Sequence, residues 1–230
     1  MTTTALLYDI HGNLSALETV LADARGAGAE RFVLGGDYAL FGPYPSETVT
    51  ALRELSDATW IRGNGERWTA DPSRAPDNDV VQGALVASGD ALGERVVAEL
   101  AALPVGVVLE GTRYVHGSPV SDVRSFMPEP GDEDEEMLGG IGERRLVFGH
   151  THLPFRRGGP NGVELFNPGS VGMPFDGDPR AAYALLHGGG ELEHRRVAYD
   201  HHAAVDAVKE RFGASGWTET VARRIATASF

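Results

Sequence analysis

The sequence predicts an α/β protein in which two β-sheets pack together with helices on the outside. The first part of the chain alternates short apolar runs with amphipathic helical patterns. After residue 104 the pattern changes to short apolar segments separated by turns, which is typical of antiparallel strands. A chain of 230 residues with 42% hydrophobic content can bury a sizeable core, so we expect a single domain over 1–230.

The first elements are predicted from their apolar spacing. Residues 5–9 form an apolar run typical of a buried strand, and residues 13–27 repeat apolar side chains at helical spacing until glycines end them. A second apolar run at 31–36, a helix from Ser46 and a short strand at 59–62 follow. This βαβαβ order favours parallel strands joined by right-handed crossovers.

The remaining elements follow the same reasoning. Residues 68–78 are polar and contain proline, which indicates a loop, and 79–103 have a helical pattern that Pro104 ends. We expect the acidic run 132–136 to be a solvated loop, because like charges repel. The other predicted segments are, in order, a hairpin of 105–110 with 113–116, strands at 146–150, 162–166, 182–186 and 192–199, and helices at 201–213 and 217–226, with turns at the glycines of 158–159 and 188–190.

Composition narrows the class of protein. The formal net charge of −13 disfavours duplex nucleic acid and acidic membrane surfaces as partners. The absence of cysteine excludes disulfides, thiolate-bound zinc, iron–sulfur clusters and cysteine nucleophiles. No segment has the roughly 20 apolar residues that span a bilayer. The first residues show no basic stretch or long apolar run, so we expect no signal peptide and a cytoplasmic location.

Side chains that bind metals recur at the ends of the predicted strands. Asp9 and His11 are two residues apart, so on an extended chain they would face the same side. Asp37 ends the next strand, where a βαβ unit would bring it beside Asp9. His150 and His152 repeat the two-residue spacing with two imidazoles.

Asn64 and His116 complete the set. Asn64 offers an amide oxygen at the end of the third strand, and His116 ends a later strand. A single Asp or His at a strand end is most often a cap or a hydrogen-bonded loop residue. Together, however, the seven side chains predict a two-metal site: Asp9, His11, Asp37, Asn64, His116, His150 and His152. The other histidines lack partners at ligand spacing and are expected to be surface or packing residues: His187, His194, His201 and His202.

The sequence lacks the phosphate-loop, His-Glu-x-x-His and Gly-x-Ser-x-Gly motifs that are typical of other enzyme classes. The ordered series of ligand motifs resembles the calcineurin-like metallophosphoesterase superfamily from residue 5 to about 200. The run 167–172 resembles a loop of its small bacterial and archaeal phosphodiesterase branch, which includes proteins called protein-phosphatase-like or diadenosine-tetraphosphatase-like. The resemblance implies a four-layer α/β/β/α sandwich. It also implies two ligand sets: Asp9, His11, Asp37 and His152 for one metal, and Asp37, Asn64, His116 and His150 for the other.

The resemblance further implies hydrolysis of phosphate esters, most favourably diesters. Two cations about 3.5–4 Å apart would activate a bridging water for in-line attack on phosphorus, with Asp37, Asn64 and His150 as catalytic residues. Oxygen and imidazole ligands suit Mn²⁺, our first choice, or Fe, Co²⁺, Zn²⁺ or Ni²⁺. Asn13 and Glu66 are expected to support the ligands.

One position departs from the family pattern. Much of the superfamily has histidine directly after the Gly-Asn pair, where this chain has Gly65. Loss of a general acid costs about 10²–10⁴ in rate for poor leaving groups. We therefore expect phosphodiesters or activated aryl phosphates to be preferred over alkyl monoesters, with Tyr44 or a proton of the substrate as alternative donors. Glycine here should also widen the pocket beside the second metal.

The rim of the site is expected to come from residues 38–45 and 67–90. Four aromatic side chains there could stack on a nucleobase, although packing under a loop is the commoner role: Tyr38, Phe41, Tyr44 and Trp68. Four arginines could form a basic rim for a short anionic ligand: Arg62, Arg67, Arg156 and Arg157.

Two other functions stay open. One is a phosphomonoesterase or nucleoside polyphosphate hydrolase of the same fold. The other is a non-catalytic interaction scaffold, which is less favoured because all seven ligand positions are intact. We expect the partner to be a small phosphate ester, with nucleotide-derived compounds among the candidates, and the sequence makes no prediction of oligomeric state.

Overall fold

Two five-stranded sheets face each other in the computed structural model, which describes residues 2–230. The strands are β1 (Thr3–Leu7), β2 (Ala29–Leu34), β3 (Ala58–Trp60), β4 (Gly106–Leu109), β5 (Thr112–Val115), β6 (Arg145–Val147), β7 (Phe155–Gly158), β8 (Glu164–Asn167), β9 (Ala181–Leu186) and β10 (Leu192–Val197). The helices are α1 (Leu14–Gly26), α2 (Pro45–Arg53), α3 (Asn64–Ala70), α4 (Asp79–Ala101), α5 (Asp134–Leu138), α6 (His201–Phe212) and α7 (Gly216–Thr227).

Both sheets are mixed. The first has the order β10-β9-β1-β2-β3, in which β1, β2 and β3 are parallel and β9 and β10 are antiparallel to their neighbours. The second has the order β4-β5-β6-β8-β7, with β5, β6 and β8 parallel. The predicted architecture of two mixed sheets flanked by helices is confirmed. The single domain over 1–230 stays a prediction.

Three apolar layers hold the sheets and helices together. Side chains of both sheets, such as Leu6, Val147 and Phe166, fill the space between the sheets. Helices α1 and α2 cover the other face of the first sheet through residues such as Leu17 and Leu52. On the second sheet, α5 and its flanking loops cover the outer face, while α4, α6 and α7 pack with α3 in a separate helical cluster.

Short polar side chains begin several of these helices. Asn13 caps α1, Asn78 caps α4, Asp200 caps α6 and Ser215 caps α7, each accepting a hydrogen bond from a backbone N–H of the first turn. Within residues 2–230, no helix combines the length and the apolar character needed to cross a membrane.

The structure corrects the sequence prediction in three segments. Trp68, predicted in a loop, lies in α3, and a 3-10 turn at Pro72–Arg74 follows that helix. The acidic run overlaps the first residues of α5, where the buried Asp134 forms an ion pair with Arg157 at 2.8 Å. Strand β7 was not predicted, because two arginines and a glycine hide its apolar alternation, yet it pairs along its whole length with β8.

Candidate metal centre

All seven predicted ligands lie on segments that directly follow strands. Asp9 and His11 follow β1, Asp37 follows β2, Asn64 begins α3 after β3, His116 follows β5, and His150 and His152 follow β6. Six of the side chains are at most 5% exposed, and His150 is half-buried. Both sheets therefore contribute to one buried polar cluster at their shared edge.

The backbone at these positions is left-handed and not extended. Five of the seven ligands have positive φ, namely Asp9 (53°), His11 (52°), Asp37 (56°), His150 (70°) and His152 (60°). Positive φ is uncommon for residues other than glycine and costs about 1–2 kcal/mol per residue. The prediction that the two-residue spacing works through an extended chain was therefore wrong, because tight turns beyond the strand ends aim these side chains.

One group of ligand atoms joins Asp9, His11 and His152, whose nitrogen and oxygen atoms lie within 4.8 Å of one another. His152 Nε2 is 3.4 Å from Asp9 Oδ1 and 3.0 Å from His11 Nε2. A second group joins Asp9, Asp37 and His116, with His116 Nε2 3.5 Å from Asp37 Oδ1. Asp9 thus belongs to both groups, whereas the resemblance implies that it serves one metal.

Asp37 lies between the two groups. Its Oδ2 is 3.9 Å from His11 Nε2, and its Oδ1 is 3.5 Å from His116 Nε2. The two oxygens of one carboxylate therefore face histidines of different groups. This geometry fits the expected bridge between two cations, and the bridging role itself stays a prediction.

Hydrogen bonds to the backbone fix the orientation of three imidazoles. His11 Nδ1 lies 3.0 Å from the Leu40 carbonyl oxygen, His152 Nδ1 lies 2.5 Å from that of Met173, and His116 Nδ1 lies 2.9 Å from that of Gly35. Because a carbonyl oxygen only accepts, each Nδ1 carries a proton, and in its neutral form each ring presents an Nε2 lone pair to the cluster.

The residues present fit divalent cations. The Nε2 atoms of His11 and His152 lie 3.0 Å apart. In the neutral rings the protons are on the Nδ1 atoms, which donate to backbone carbonyls, so neither Nε2 atom has a proton with which to form a hydrogen bond to the other. Asp9 Oδ1 is buried and has no hydrogen-bond partner. Lone pairs that converge in this way repel one another unless a cation lies between them.

Asn64 supports the same interpretation on the other side of the cluster. Its Oδ1 lies 2.9 Å from His116 Nε2, and turning the amide would place its nitrogen 2.8 Å from His150 Nδ1 and 2.9 Å from His116 Nε2. The terminal amide atom therefore faces two imidazole nitrogens. With its oxygen on this side, the amide would offer a lone pair to a cation shared with the two imidazoles, whereas with its nitrogen there it would donate hydrogen bonds to them.

Burial and mutual charge shift the pKa values of the cluster in different directions. Burial raises the pKa of Asp37 to about 7; the charge of His116 opposes this increase, and the charges of Glu66 and Asp9 add to it. Burial opposes ionisation of Asp9 too, but the facing histidines, His152 above all, hold its pKa well below the ordinary value. Burial lowers the pKa of His11 to about 3 and that of His150 to about 4, so both rings are neutral and ready to bind metal at pH 7.

Glu66 holds two of the ligand segments in place. Its buried carboxylate accepts hydrogen bonds from the backbone N–H groups of Asp37 (3.0 Å), Tyr38 (2.8 Å) and Gly63 (2.8 Å). The strand end that carries Asp37 is thereby tied to the turn before Asn64. Glu66 thus makes the supporting contacts expected of it.

A second network holds the Asp9 segment. Ser170 Oγ donates to the Asp9 carbonyl oxygen at 2.7 Å, and the Gly172 N–H donates to the same oxygen at 3.0 Å. Asn13 Nδ2 donates to the Gly172 carbonyl at 2.9 Å, and Asp9 Oδ2 accepts from the His150 N–H at 2.9 Å. Asn13 therefore supports the ligands through the 167–172 loop, and the contribution of Ser170 was missed in the sequence.

Gly65 does not widen the site as expected. Its N–H donates to Asp37 Oδ1 at 2.7 Å, and a Cβ atom added to it would meet the same oxygen at 2.9 Å. The residue lines a void of about 10 Å³ with Leu40 and Thr69, away from the main cavity. A side chain at position 65 would therefore require the Asp37 carboxylate to move from its present position.

A cavity of about 880 Å³ opens over the ligand cluster. His11, Asp37, Asn64, His150 and His152 form its polar floor. Its walls are mainly apolar and include Phe41, Trp68, Val80, Val81, Met127, Leu153, Met173, Phe175 and Phe230. Segments 38–45 and 67–90 were expected to form the rim, and part of each lines the cavity. Phe41 comes from the first segment, and Trp68 and residues at the start of α4 come from the second.

Several predicted rim residues lie elsewhere. Tyr38 is fully buried, and its hydroxyl lies within hydrogen-bonding distance of the Leu34 and Ile61 carbonyl oxygens. Tyr44 lies against Arg211, whose guanidinium carbon is 5.4 Å from the centre of the tyrosine ring. The four arginines predicted for a basic rim all have other partners: Arg62 with the Ala101 carbonyl, Arg67 with Asp122, Arg156 with Glu164 and Arg157 with Asp134.

The cation that does line the cavity is Arg224 of α7, which the sequence prediction missed, together with Phe175. No local motif marks either residue, because their place depends on how α7 and the 173–177 segment fold back over the ligands. Of the four histidines set aside, His194 stacks on Phe166 at 4.3 Å and none belongs to a ligand group within residues 2–230.

Known proteins share this sequence pattern and fold. The family model of the calcineurin-like phosphoesterase superfamily domain matches residues 3–190. The chain is 30% identical over 191 residues to the phosphodiesterase YfcE of Escherichia coli K12, covering 77% of this chain and 83% of that protein. The structure of a metallophosphoesterase from Sphaerobacter thermophilus superposes with a TM-score of 0.83 at 26% identity, covering 99% of this chain and 100% of that one.

A hypothetical protein of Pyrococcus horikoshii OT3 has a TM-score of 0.86 at 23% identity, covering 100% of this chain and 99% of its own, which shows the shared fold alone. The family match covers most of the chain, and the matched region contains all seven ligand residues and the cavity floor. The protein is a phosphoester hydrolase and belongs to the calcineurin-like phosphoesterase superfamily.

Proposed function

We propose that this protein is a phosphodiesterase that uses two divalent metal ions and prefers substrates with good leaving groups. The lining of the cavity carries the proposal. Among the described lining residues, every imidazole and carboxylate side chain belongs to a ligand candidate: His11, Asp37, His150 and His152. No lining tyrosine, lysine or glutamate is placed to protonate a leaving oxygen, so the leaving group must depart as a stable anion.

The apolar walls support a diester over a monoester. A monoester of a small alcohol would use the polar floor and leave most of the 880 Å³ cavity unfilled. A diester carries two organic groups, and one of them can pack against walls such as Trp68 and Phe175 while the phosphate lies on the floor. Burial of that group against apolar side chains would contribute to binding at about 25 cal/mol per Å².

The chain's own residues would bind the metals and orient the phosphate. Bound divalent ions supply charge neutralisation of the phosphate and lower the pKa of water. Asp37 would hold both ions, and Asn64 and His150 would hold one of them while facing the phosphate from the cavity floor. Manganese is our choice among Mn²⁺, Fe, Co²⁺, Zn²⁺ and Ni²⁺, because the donors are oxygen and imidazole. The cytoplasmic location and the small-molecule partner stay predictions.

A substrate comparison tests the proposal, with the same 4-nitrophenolate leaving group in the diester and the aryl monoester. Protein loaded with Mn²⁺ is assayed with bis(4-nitrophenyl) phosphate, 4-nitrophenyl phosphate and a phosphoserine peptide, with chelator-treated protein as the control. We expect the highest kcat/KM for the diester and a value at least about 10²-fold lower for the peptide. Equal turnover of the peptide would contradict the proposal. Stoichiometric manganese without turnover of any ester would favour the interaction scaffold.

A further inference from the structure

The wall of the cavity beside His152 ends in a cation. The Phe175 ring stacks on the His152 ring with 4.4 Å between centroids and 18° between planes. Phe230 contacts Phe175 edge-on at 5.6 Å, and the Arg224 guanidinium carbon lies 4.2 Å from the centre of the Phe230 ring. A continuous aromatic path therefore runs from a metal-ligand candidate to a guanidinium group.

Arg224 has no acceptor of its own. Most arginines within residues 2–230 are ion-paired, whereas Arg224 forms neither an ion pair nor a side-chain hydrogen bond with any described residue, and its Nε is buried without a partner. It is also the one arginine or lysine among the described residues that line the cavity. Burial, and to a smaller extent the charge of Arg223, lowers the pKa of Arg224, although a guanidinium stays charged at pH 7.

A second donor on the cavity wall is also unpartnered. Trp68 is 9% exposed, and its indole Nε1–H is buried without an acceptor in the described chain. Buried N–H groups without acceptors are costly, and for a charged guanidinium the cost is larger than for a neutral donor. The apolar residues of the same cavity wall, such as Val80, Val81 and Phe175, offer no side-chain acceptor.

We propose that Arg224 is a specificity-determining residue that binds a second anionic group of the substrate, on the organic substituent that stays attached to phosphorus. The substrate class is a phosphodiester whose retained substituent is planar and apolar and ends in a carboxylate or a further phosphate. The planar part packs between Trp68 and Phe175, and the terminal anion pairs with the guanidinium. This inference rests on the proposed phosphodiesterase function and adds to it the chemistry of the retained group.

The distribution of charge in the molecule favours binding of an anionic substrate group at Arg224. The chain has a formal net charge of −13, so its general field repels anions. Among the described lining residues, the one side-chain carboxylate is that of Asp37, which belongs to the candidate metal centre. An anion that reaches Arg224 therefore meets a cation without a competing side-chain carboxylate, inside an apolar wall where charge pairing is stronger than in water.

A pair of isosteric substrates tests the proposal. The two esters are 4-nitrophenyl 4-carboxyphenyl phosphate and 4-nitrophenyl 4-carbamoylphenyl phosphate, which share a leaving group and differ in one negative charge. The wild-type protein should prefer the carboxylate by about 10- to 100-fold in kcat/KM, mainly through KM. The variant Arg224→Gln should bring this ratio close to one, mainly by raising KM for the carboxylate ester.

Arg223→Gln is the matched control. It removes the same charge from the neighbouring position of α7, where the side chain is exposed, and should keep the wild-type preference. A wild-type protein without the preference would overturn the proposal, and so would an Arg224→Gln variant that keeps it. If the preference for the carboxylate ester came from the overall charge of the protein, Arg224→Gln and Arg223→Gln would change it equally.

A binding measurement separates this inference from the proposed function. Calorimetry with 4-carboxyphenyl methylphosphonate and 4-carbamoylphenyl methylphosphonate, which lack the nitrophenyl leaving group, reports the charge preference without turnover. Loss of preference in Arg224→Gln alone would support the anion site even in a protein that hydrolyses no ester. Hydrolysis of both esters with equal affinity for the two phosphonates would leave the phosphodiesterase intact and reject the role of Arg224.

Discussion

At the scale of single residues, the centre depends on strained turns that hydrogen bonds stabilise. Asp9, His11 and Asp37 all have positive φ, and each such conformation costs about 1–2 kcal/mol. Glu66 and Ser170 accept or donate hydrogen bonds to the backbone of these turns. The ligands are therefore held in position before any metal binds, and the supporting residues carry much of that task.

The variant Glu66→Gln tests this support. Glutamine has one acceptor oxygen where glutamate has two, so at least one of the three backbone N–H groups loses its partner. We expect the free energy of unfolding to fall by about 1–3 kcal/mol and the affinity for Mn²⁺ to fall by about 10–100-fold, measured by denaturant titration and calorimetry. Glu18→Gln, at an exposed position of α1, is the control. Unchanged metal affinity in Glu66→Gln would contradict this role.

Gly65→Ala tests the contact between position 65 and Asp37. The added Cβ would lie 2.9 Å from Asp37 Oδ1, so the carboxylate must move. We expect metal affinity and kcat each to fall by at least about 10-fold. Gly89→Ala is the matched control, because its Cβ would meet nothing closer than 3.8 Å in α4, and alanine there should stabilise the helix by about 1 kcal/mol. Full activity of Gly65→Ala would show that Asp37 does not need its present position.

The sequence predicts which residues act as ligands better than how they are placed. Carboxylates and imidazoles such as Asp9 and His150 are chemically distinctive, and their positions after apolar runs place them at strand ends. The left-handed turns were not predicted, because φ at a residue such as His11 is set by contacts with distant segments, among them the hydrogen bond from its N–H to the Asp37 carbonyl. Arg224 was missed for the same reason.

At the scale of elements, α3 is the connection between the two halves of the site. It begins at Asn64, contains Glu66, and presents Arg67, which donates to both oxygens of Asp122 at 2.6 Å. Asp122 lies in the loop that follows His116. The helix escaped prediction because its sequence is polar and contains glycine, and tertiary hydrogen bonds outweigh that weak local preference.

The ion pair between Arg67 and Asp122 should make stability depend on pH. Burial alone would raise the pKa of Asp122, but the hydrogen bonds and charge of Arg67 lower it below its ordinary value. A depressed folded-state pKa gives a contribution that is complete above the unfolded-state value, about 3.9, and is lost as pH falls through the folded-state value.

We expect Asp122→Asn to lower the free energy of unfolding by about 1 kcal/mol at pH 7, with the difference from the wild type vanishing as the pH falls toward 2. Denaturant titrations across this range measure it. Glu133→Gln, which removes a partner of Arg124 at the exposed α5 end, should change stability by less than about 0.5 kcal/mol. If the stability difference between Asp122→Asn and the wild type grows as the pH falls, the predicted pH dependence has the wrong sign.

At the scale of the whole molecule, the candidate metal centre joins the two sheets. Ligands from the first sheet, such as Asp37, face ligands from the second, such as His116, across the common edge. The order of apolar runs indicated both sheets and their mixed character, because strand patterns persist whichever partner a strand has. The separate cluster of α4, α6 and α7 could not be predicted, because helix amphipathicity shows which face is buried and not what covers it.

Metal removal should therefore weaken the whole fold. Ions that bind the native state and not the unfolded chain add about 2.7 kcal/mol of stability at a free concentration 100 times the Kd. We expect Tm to fall when a chelator removes the ions and to return when Mn²⁺ is added in excess. The Arg223→Gln variant, which lies outside the centre, should show the same shift. A Tm that is independent of metal would argue against ligands shared between the two sheets.

The central claim is that seven side chains from both sheets bind two cations, and anomalous diffraction tests it most directly. Crystals grown with MnCl₂ and measured at the manganese absorption edge locate each ion without assumptions about its ligands. The account predicts two peaks about 3.5–4 Å apart, with Asp37 between them, one within bonding distance of His11 and His152 and the other of Asn64 and His116. A single peak outside this cluster, or no peak within it, would contradict the account.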